Sequence, residues 1–272
     1  MSWSRAQLSE HVAIRLEAEQ DALQDAWRSA DPIGHFIVDD LLPNEQAHAI
    51  ASAFPDPGTL MQRNSWRERK RVGVQVDEYA PIISEILYAF QEARVLRVIE
   101  AITAIADLDA DPSLYASGLS VMTQGDFLHP HLDNSHDGDN RLYRVLNLLY
   151  YASPDWAEGR GGDLELWDPE VRTPTPLPAR FNRLVVMATH RTSWHSVNRI
   201  EAEAARRCVS NYYFSPHAPG GIAHAHVTSF AGRPEQPWLR AFMGVDRVVL
   251  NLAGRVMPWL TTRNKHRVQD ES

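Results

Sequence analysis

The chain has 272 residues, of which 44% are hydrophobic and 23% charged, a composition typical of globular proteins. This length accommodates one large domain, or one domain with elaborations. The net charge of −8 argues against a general nucleic-acid-binding function, because such proteins are usually basic. The single cysteine, Cys208, excludes an intramolecular disulfide. We therefore expect a cytoplasmic protein without nucleic acid as a partner. We also expect neither a secretory leader nor a membrane span, since no apolar run approaches about 18 residues.

The N-terminal part of the chain predicts mainly helices. Apolar residues recur at near-helical spacing over residues 4–29, and a second helical stretch covers 44–54. Residues 35–38 are apolar and β-branched, and residues 71–76 alternate, so each predicts a short strand. Residues 80–105 carry a strong amphipathic pattern that predicts a helix or a helix pair.

From residue 114 onward the pattern changes to short strands separated by turn-forming residues. The predicted strands cover residues 119–123, 127–133, 143–151, 163–167, 183–188, 195–198 and 207–214. Many short strands joined by turns favour a sandwich or jelly roll over alternating β/α units. The sequence therefore predicts helices first and a double-sheet β domain second.

The stretch with the clearest chemistry is His131-Leu132-Asp133. On an extended segment residues two apart point the same way, so an imidazole and a carboxylate can reach one metal ion. His195 offers a second imidazole from another strand. Two histidines and one carboxylate leave coordination positions open, as in non-haem Fe(II) oxygenases. An H-x-D pair alone is a weak signal, because twelve histidines make chance pairs common.

Several further motifs occur in a fixed order along the chain. They are Phe36–Leu42, His131–Asn134, Arg144–Tyr151, Gly161–Leu166, His195–Val197 and Arg206–Ser210. Together they resemble the Fe(II)/2-oxoglutarate-dependent dioxygenases, in their prolyl-4-hydroxylase-like branch. The resemblance covers roughly residues 34–40 and 115–215.

The resemblance implies an α+β fold, with a double-stranded β-helix (jelly-roll) core, N-terminal helices packed on one sheet and a C-terminal helical extension. We expect an N-terminal helix over residues 1–33, the dioxygenase domain with its supporting helices over 34–216, and an extension over 217–272 that is irregular and then helical. The implied cofactors are Fe(II), 2-oxoglutarate and O2, with ascorbate in a supporting role.

The resemblance also implies roles for individual residues. The catalytic metal ligands are His131, Asp133 and His195. Arg207 is expected to anchor the distal carboxylate of 2-oxoglutarate, because a guanidinium forms a bidentate pair with a carboxylate. Arg206 is expected to point to the opposite face and into solvent. Two further cosubstrate contacts are expected from Tyr151 and Leu164, each of which also fits an ordinary core position.

Three residues are candidates for substrate contacts. His129 lies two residues before His131 and is expected on the same face of its strand. Arg144 and Asn147 lie near the metal end of the central strand. Each of the three also fits a structural role.

Two segments are candidates for lids over the site. Residues 59–70 are polar and basic and predict a mobile loop. The loop's four cations fit a solvated charge run, or a lid that attracts a phosphorylated, carboxylated or nucleotide-linked substrate. The second candidate is the polar segment 134–140. Residues 237–260 predict an amphipathic helix that packs on its own domain or on a dimer mate, with an anionic membrane surface as the alternative.

The leading functional hypothesis is a dioxygenase that hydroxylates an unactivated C–H bond of a small-molecule or sugar-like substrate, with release of CO2 and succinate. The alternative is a prolyl-type hydroxylase that acts on a protein. A more remote alternative is a non-catalytic metal-binding β-domain.

Overall fold

The computed structural model describes residues 3–154 and 156–243, with five helices and three strands before residue 104 and nine strands after it. The helices are α1 (Arg5–Ala18), α2 (Gln20–Ser29), α3 (Asn44–Ala53), α4 (Pro81–Ala89) and α5 (Ala93–Thr103). The strands are β1 (His35–Val38), β2 (Met61–Asn64), β3 (Glu68–Gly73), β4 (Gly118–Met122), β5 (Phe127–Leu132), β6 (Tyr143–Tyr151), β7 (Leu164–Trp167), β8 (Pro174–Leu177), β9 (Arg183–Ala188), β10 (His195–Val197), β11 (Arg206–Ser215) and β12 (Ser229–Phe230).

The long helical patterns of the sequence each break into two helices. The predicted helix over residues 4–29 is interrupted at Glu19, whose φ of −114° and ψ of 13° leave the helical region and separate α1 from α2. Residues 80–105 form the pair α4 and α5. Pro81 opens α4, where its missing N–H costs no hydrogen bond.

The strands pair antiparallel and curl into a jelly roll. The order across the sheet is β1-β9-β6-β11-β4-β3-β5-β10-β7-β8, with β2 paired to β3 and β12 paired to β5. The larger wall consists of β1, β9, β6, β11, β4 and β3. The smaller wall consists of β5, β10, β7 and β8. The predicted double-stranded β-helix core is confirmed.

The central strands of the larger wall, β6, β9 and β11, are buried on both faces. The outer face of this wall packs on the five helices through a large apolar cluster that includes Leu146, Leu148 and Val209. Its inner face contributes Tyr151 and Cys208 to a second cluster inside the jelly roll, together with residues of the smaller wall. Alternate side chains of each central strand therefore belong to the helix layer and to the interior.

The basic segment is a β-hairpin rather than a loop. Strands β2 and β3 pair in register, with Arg63 opposite Lys70 and Asn64 opposite Arg69. The prediction of a loop over residues 59–70 is therefore wrong. The strand predicted over 71–76 begins earlier and ends at Gly73, and Val76 lies in a short 3-10 turn.

Residues that follow β11 wrap over the smaller wall. Strand β12 adds to the edge of β5, with Phe230 opposite His131. Arg233 then forms a two-pronged ion pair with Glu165 of β7, whose side chain is 8% exposed. The Ser196 hydroxyl donates to the same carboxylate and accepts from the Trp167 indole.

The predicted C-terminal helix is helical over residues 237–243, and its remainder lies outside the described residues. Its packing on a dimer mate stays a prediction. Among the helices of the described ranges, none is long and apolar enough to cross a bilayer.

Removing the Arg233 side chain is expected to destabilise the fold. In Arg233→Met, the buried Glu165 carboxylate loses its cation, which costs roughly 3 kcal/mol of unfolding free energy for a buried pair. Urea denaturation measures this cost. The double variant Arg233→Met/Glu165→Met should recover most of the loss. The matched control is Arg172→Met, which removes an exposed pair with Glu170 and should cost less than about 1 kcal/mol.

Candidate metal centre

A bulge in β5 determines which way the side chains of the candidate metal site point. His195 pairs with His131, whereas Val197 pairs with Leu128. A step of two residues along β10 therefore corresponds to a step of three residues along β5. The extra residue shifts the alternation of side chains. Leu128 and His131 therefore both face the interior, where Leu128 joins the inner apolar cluster.

The same bulge places His129 on the outer face. Its ring contacts Phe127 at 4.9 Å between centroids, and the charges of Arg233 and Arg199 act on it. The prediction that His129 shares a face with His131 is wrong, because strict alternation does not hold across Pro130. A substrate contact from His129 is therefore not supported.

Three side chains converge inside the jelly roll. The Nε2 atom of His131 lies 3.8 Å from Asp133 Oδ1, and the Nε2 atom of His195 lies 3.6 Å from Asp133 Oδ2. Within the described ranges this is the one group of three or more His, Cys, Asp or Glu residues whose ligand atoms all lie within 4.8 Å of one another. The structure thus brings together the three residues predicted as ligands.

The opposite nitrogen of each imidazole is held by the backbone. His131 Nδ1 lies 3.1 Å from the His129 carbonyl, and His195 Nδ1 lies 2.9 Å from the Ser193 carbonyl. A carbonyl accepts from an N–H, so each ring carries a proton on Nδ1. The lone pair of each Nε2 then points toward Asp133, the arrangement that a metal ion requires.

Burial keeps these groups in their ligating forms. Desolvation, assisted by the neighbouring His195, lowers the pKa of His131 to about 3. For Asp133, burial opposes ionisation, but the neighbouring Arg144 guanidinium holds the pKa of its carboxyl below the usual value. A neutral imidazole beside a charged carboxylate is the donor set that suits Fe(II).

Arg144 neutralises the carboxylate from the far side. Its guanidinium lies 3.5 Å from Asp133 Oδ1, and the side chain is 5% exposed. The same guanidinium lies over the ring of Tyr212, 4.4 Å from the centroid. Asn147 donates to the Tyr212 hydroxyl at 3.2 Å. Arg144 and Asn147 therefore line the inner wall beside the triad, whereas Arg141 is exposed and pairs with Asp139.

The two arginines of β11 face opposite sides of the strand. Arg206 is 3% exposed and faces the interior, and its guanidinium lies 4.8 Å from the centroid of the Tyr151 ring. Arg207 belongs to the opposite face, together with Val209 of the helix-side cluster. The prediction that Arg206 points into solvent is wrong, because both faces of this strand are covered. The role of Arg207 as cosubstrate anchor stays a prediction, and Arg206 is the one of the two that faces the interior.

The surroundings of Arg206 fit an anionic ligand. Its Nε donates to the Gly162 carbonyl at 2.6 Å, and its Nη1 lies 4.0 Å from the Met122 sulfur. No carboxylate of the described chain lies within ion-pair distance of it. The Tyr151 hydroxyl is buried without a hydrogen-bond partner, and so is Asp133 Oδ2. Buried polar atoms are normally satisfied, so these atoms fit a chain that holds a metal and a carboxylate ligand here.

Sequence reasoning missed a group of aromatic side chains beside the triad, Phe230, Trp66 and Phe242, which we name the mouth of the site. Phe230 of β12 stacks on the His131 ring, with centroids 5.5 Å apart. Trp66, at the tip of the β2–β3 hairpin, contacts Phe242 at 5.2 Å. The Arg67 guanidinium lies over the rings of both Trp66 and Phe230. These contacts join distant segments, and no local pattern in the sequence signals them.

The other predicted lid lies beside this mouth. Within segment 134–140, His136 contacts the Tyr143 ring at 4.4 Å, and Ser135 exchanges hydrogen bonds with His226 of the extension. Leu164 of β7 is buried in the inner apolar cluster, as a cosubstrate-flanking residue would be.

Residues 117–215 match the family model described as the 2OG-Fe(II) oxygenase superfamily. This region, the β-rich part of the chain, is thus similar to that superfamily. The matched region contains the three triad residues as well as Arg206 and Tyr151. The superfamily takes its name from its two cofactors, 2-oxoglutarate and Fe(II), and its members are oxygenases. No curated protein matches the chain.

Solved structures share the fold at low sequence identity. A prolyl hydroxylase from Trichoplax adhaerens, in complex with a peptide fragment of hypoxia inducible factor, is 16% identical, with a TM-score of 0.55 over 74% of this chain and 93% of its own. A prolyl-4-hydroxylase from Pseudomonas putida is 16% identical, with a TM-score of 0.51 over 71% and 98%. An α-ketoglutarate-dependent epimerase from nogalamycin biosynthesis is 14% identical, with a TM-score of 0.51 over 76% and 88%.

Loss of any triad ligand is expected to abolish metal binding. We expect His131→Ala, Asp133→Ala and His195→Ala to lower Mn(II) affinity by more than about 100-fold, since losing even a residue that only supports a ligand costs 10–100-fold. Electron paramagnetic resonance of free Mn(II) measures the change. The matched control is His129→Ala, which removes an outward-facing histidine of the same strand. A variant of the triad that keeps normal affinity would contradict the assignment.

Proposed function

We propose that the protein is an Fe(II)- and 2-oxoglutarate-dependent hydroxylase whose metal ligands are His131, Asp133 and His195. The observation that carries the proposal is the convergence of two Nε2 atoms and one carboxylate inside the jelly roll. Three protein ligands leave positions for the two donor atoms of 2-oxoglutarate and for O2. When bound, these groups would supply the oxidation: one oxygen atom of O2 would enter the substrate C–H bond, and the other would enter succinate as 2-oxoglutarate loses CO2.

Arg206 is the proposed anchor for the distal carboxylate of 2-oxoglutarate. Its guanidinium is buried and lies over Tyr151, whose hydroxyl has no partner. A carboxylate at this position would pair with the guanidinium and accept from the phenol. Leu164 packs beside them and keeps water from the cosubstrate.

The remaining residues of the site hold the ligands in place. Backbone carbonyls fix the tautomers of both histidines, and Arg144 holds the Asp133 carboxylate in its charged form. Apolar and aromatic side chains around them exclude water, which strengthens each of these interactions.

A small-molecule or sugar-like substrate is the proposed class. The hairpin tip and the extension meet through Trp66 and Phe242, and Phe230 stacks against a metal ligand. A mouth narrowed in this way suits a compact substrate better than an extended chain. A protein substrate is the second candidate, because the similar prolyl hydroxylase from Trichoplax adhaerens holds a peptide fragment.

Arg206→Met is expected to weaken 2-oxoglutarate binding roughly 100-fold, because it removes a charge-assisted bidentate pair. Anaerobic titration of the Fe(II)-loaded protein, followed by the visible absorption of the metal–cosubstrate complex, measures the affinity. The matched control is Arg207→Met, which removes the adjacent cation from the helix-side face and should leave the affinity unchanged. If Arg207→Met weakened the binding and Arg206→Met did not, Arg207 would be the anchor.

Turnover separates the two substrate classes. Succinate formation from 2-oxoglutarate should rise when fractionated small metabolites are added, and mass spectrometry should find a metabolite that has gained one oxygen atom. Stimulation by proline-containing peptides alone would favour the protein-hydroxylase alternative.

A further inference from the structure

The inner face of the β2–β3 hairpin carries a row of charges. Glu68 pairs with Leu128 across the sheet and therefore points with it into the jelly roll. Lys70 lies two residues further along the same face, and Arg63 lies directly opposite Lys70 on β2. The intervening Arg69 is exposed, as expected for the other face of the strand.

These three side chains form one cluster. The Lys70 ammonium lies 2.9 Å from Glu68 Oε2, and Arg63 Nη1 lies 3.6 Å from Glu68 Oε1. The side chains of Lys70 and Glu68 are only 20% and 17% exposed. Two cations share one carboxylate, so the cluster carries a net charge of +1.

The cluster lies close to the metal centre. Glu68 pairs with Leu128, which lies three residues before His131 on the same strand and shares its inward face because of the bulge. Burial opposes ionisation of Glu68, yet Lys70 and Arg63 keep the pKa of its carboxyl below the usual value. Glu68 therefore carries its charge between two basic side chains, on the face of the sheet that His131 shares.

Stability alone does not account for this placement. A half-buried ion pair loses much of its Coulomb gain to desolvation, and an apolar pair of similar volume usually serves the fold as well. Charges retained at the mouth of a site are more readily explained by a charged ligand. Arg206 lies on β11 beside Tyr151, so the hairpin cluster is separate from the proposed 2-oxoglutarate anchor.

We infer that Lys70 and Arg63 bind an oxyanion of the substrate, a carboxylate or a phosphate, and thereby select the substrate. This inference rests on the proposed function, because it places the oxyanion relative to the metal. Glu68 positions the two cations and competes with the incoming anion for them. The hydroxylated carbon then belongs to an anionic small molecule.

Paramagnetic relaxation tests the inference without knowledge of the substrate. The protein is loaded with Mn(II) and saturated with 2-oxoglutarate, so that Arg206 is occupied and no turnover takes place. Inorganic phosphate and acetate are the probes, followed by ³¹P relaxation and by relaxation of the methyl protons. Because relaxation by Mn(II) falls with the sixth power of distance, only an anion held near the metal responds strongly. The probe with the larger effect identifies phosphate or carboxylate as the preferred group.

Variants of the cluster are expected to change the affinity for the anion in opposite directions. Lys70→Met and Arg63→Met should each lower the affinity for the anion about tenfold, since each removes a charge-assisted hydrogen bond. Glu68→Gln should tighten binding severalfold, because it removes the competing carboxylate. The matched control is Arg69→Met, which removes the exposed cation of the same strand and should have no effect.

The outcomes are separable. Wild-type relaxation of either probe that falls in Lys70→Met and rises in Glu68→Gln supports the inference. Bound Mn(II) and 2-oxoglutarate without enhanced relaxation of either probe, or with equal relaxation in all variants, overturns the inference and leaves the proposed function in place. Failure of the wild type to bind Mn(II) overturns both.

Discussion

The charge of the buried Asp133 carboxylate is the constraint on which the rest of the site depends. An ionised carboxylate inside a protein is costly unless cations and hydrogen bonds compensate it. Arg144 supplies one positive charge at 3.5 Å, whereas burial lowers the pKa of the adjacent His131 and so disfavours a second positive charge there. A divalent cation between the three ligands completes the compensation. The same principle explains why Glu165 is matched with Arg233, and why Glu68 is shared between two cations.

The bulge in β5 determines what this charged centre faces. Without the extra residue, Leu128 and His131 would point to opposite faces of the strand, and the inner apolar cluster would lose contact with the metal ligand. With the bulge, one strand presents an apolar floor and a ligand to the same interior. Its two edges are occupied along most of their length, by β10 on one side and by β3 and β12 on the other. A ligand strand held in this way is rigid, which favours a preorganised site.

Much of this arrangement could be predicted from the sequence, and the failures have identifiable causes. The triad, the jelly roll and the order of helices and strands follow from motif order and from hydrophobic periodicity. The facing of Arg206 and Arg207 could not be predicted, because Cys208 and Val209 are both buried and the strand shows no polar face. The β2–β3 hairpin could not be predicted from the sequence, because its strands carry charges on both faces and so show no hydrophobic alternation. The facing of His129 required knowledge of a bulge, which a simple alternation rule does not contain.

The pairing of β12 with β5 also sets an order of assembly. His131 and Asp133 are synthesised well before His195, and Phe230 emerges later still, although it stacks directly on His131. Contacts between segments so far apart along a chain form late in folding. A nascent chain that has not reached residue 230 therefore has an open edge on its ligand strand and an incomplete mouth. The far end of the described chain, rather than the ligands themselves, thus determines when a finished iron-binding cavity first exists.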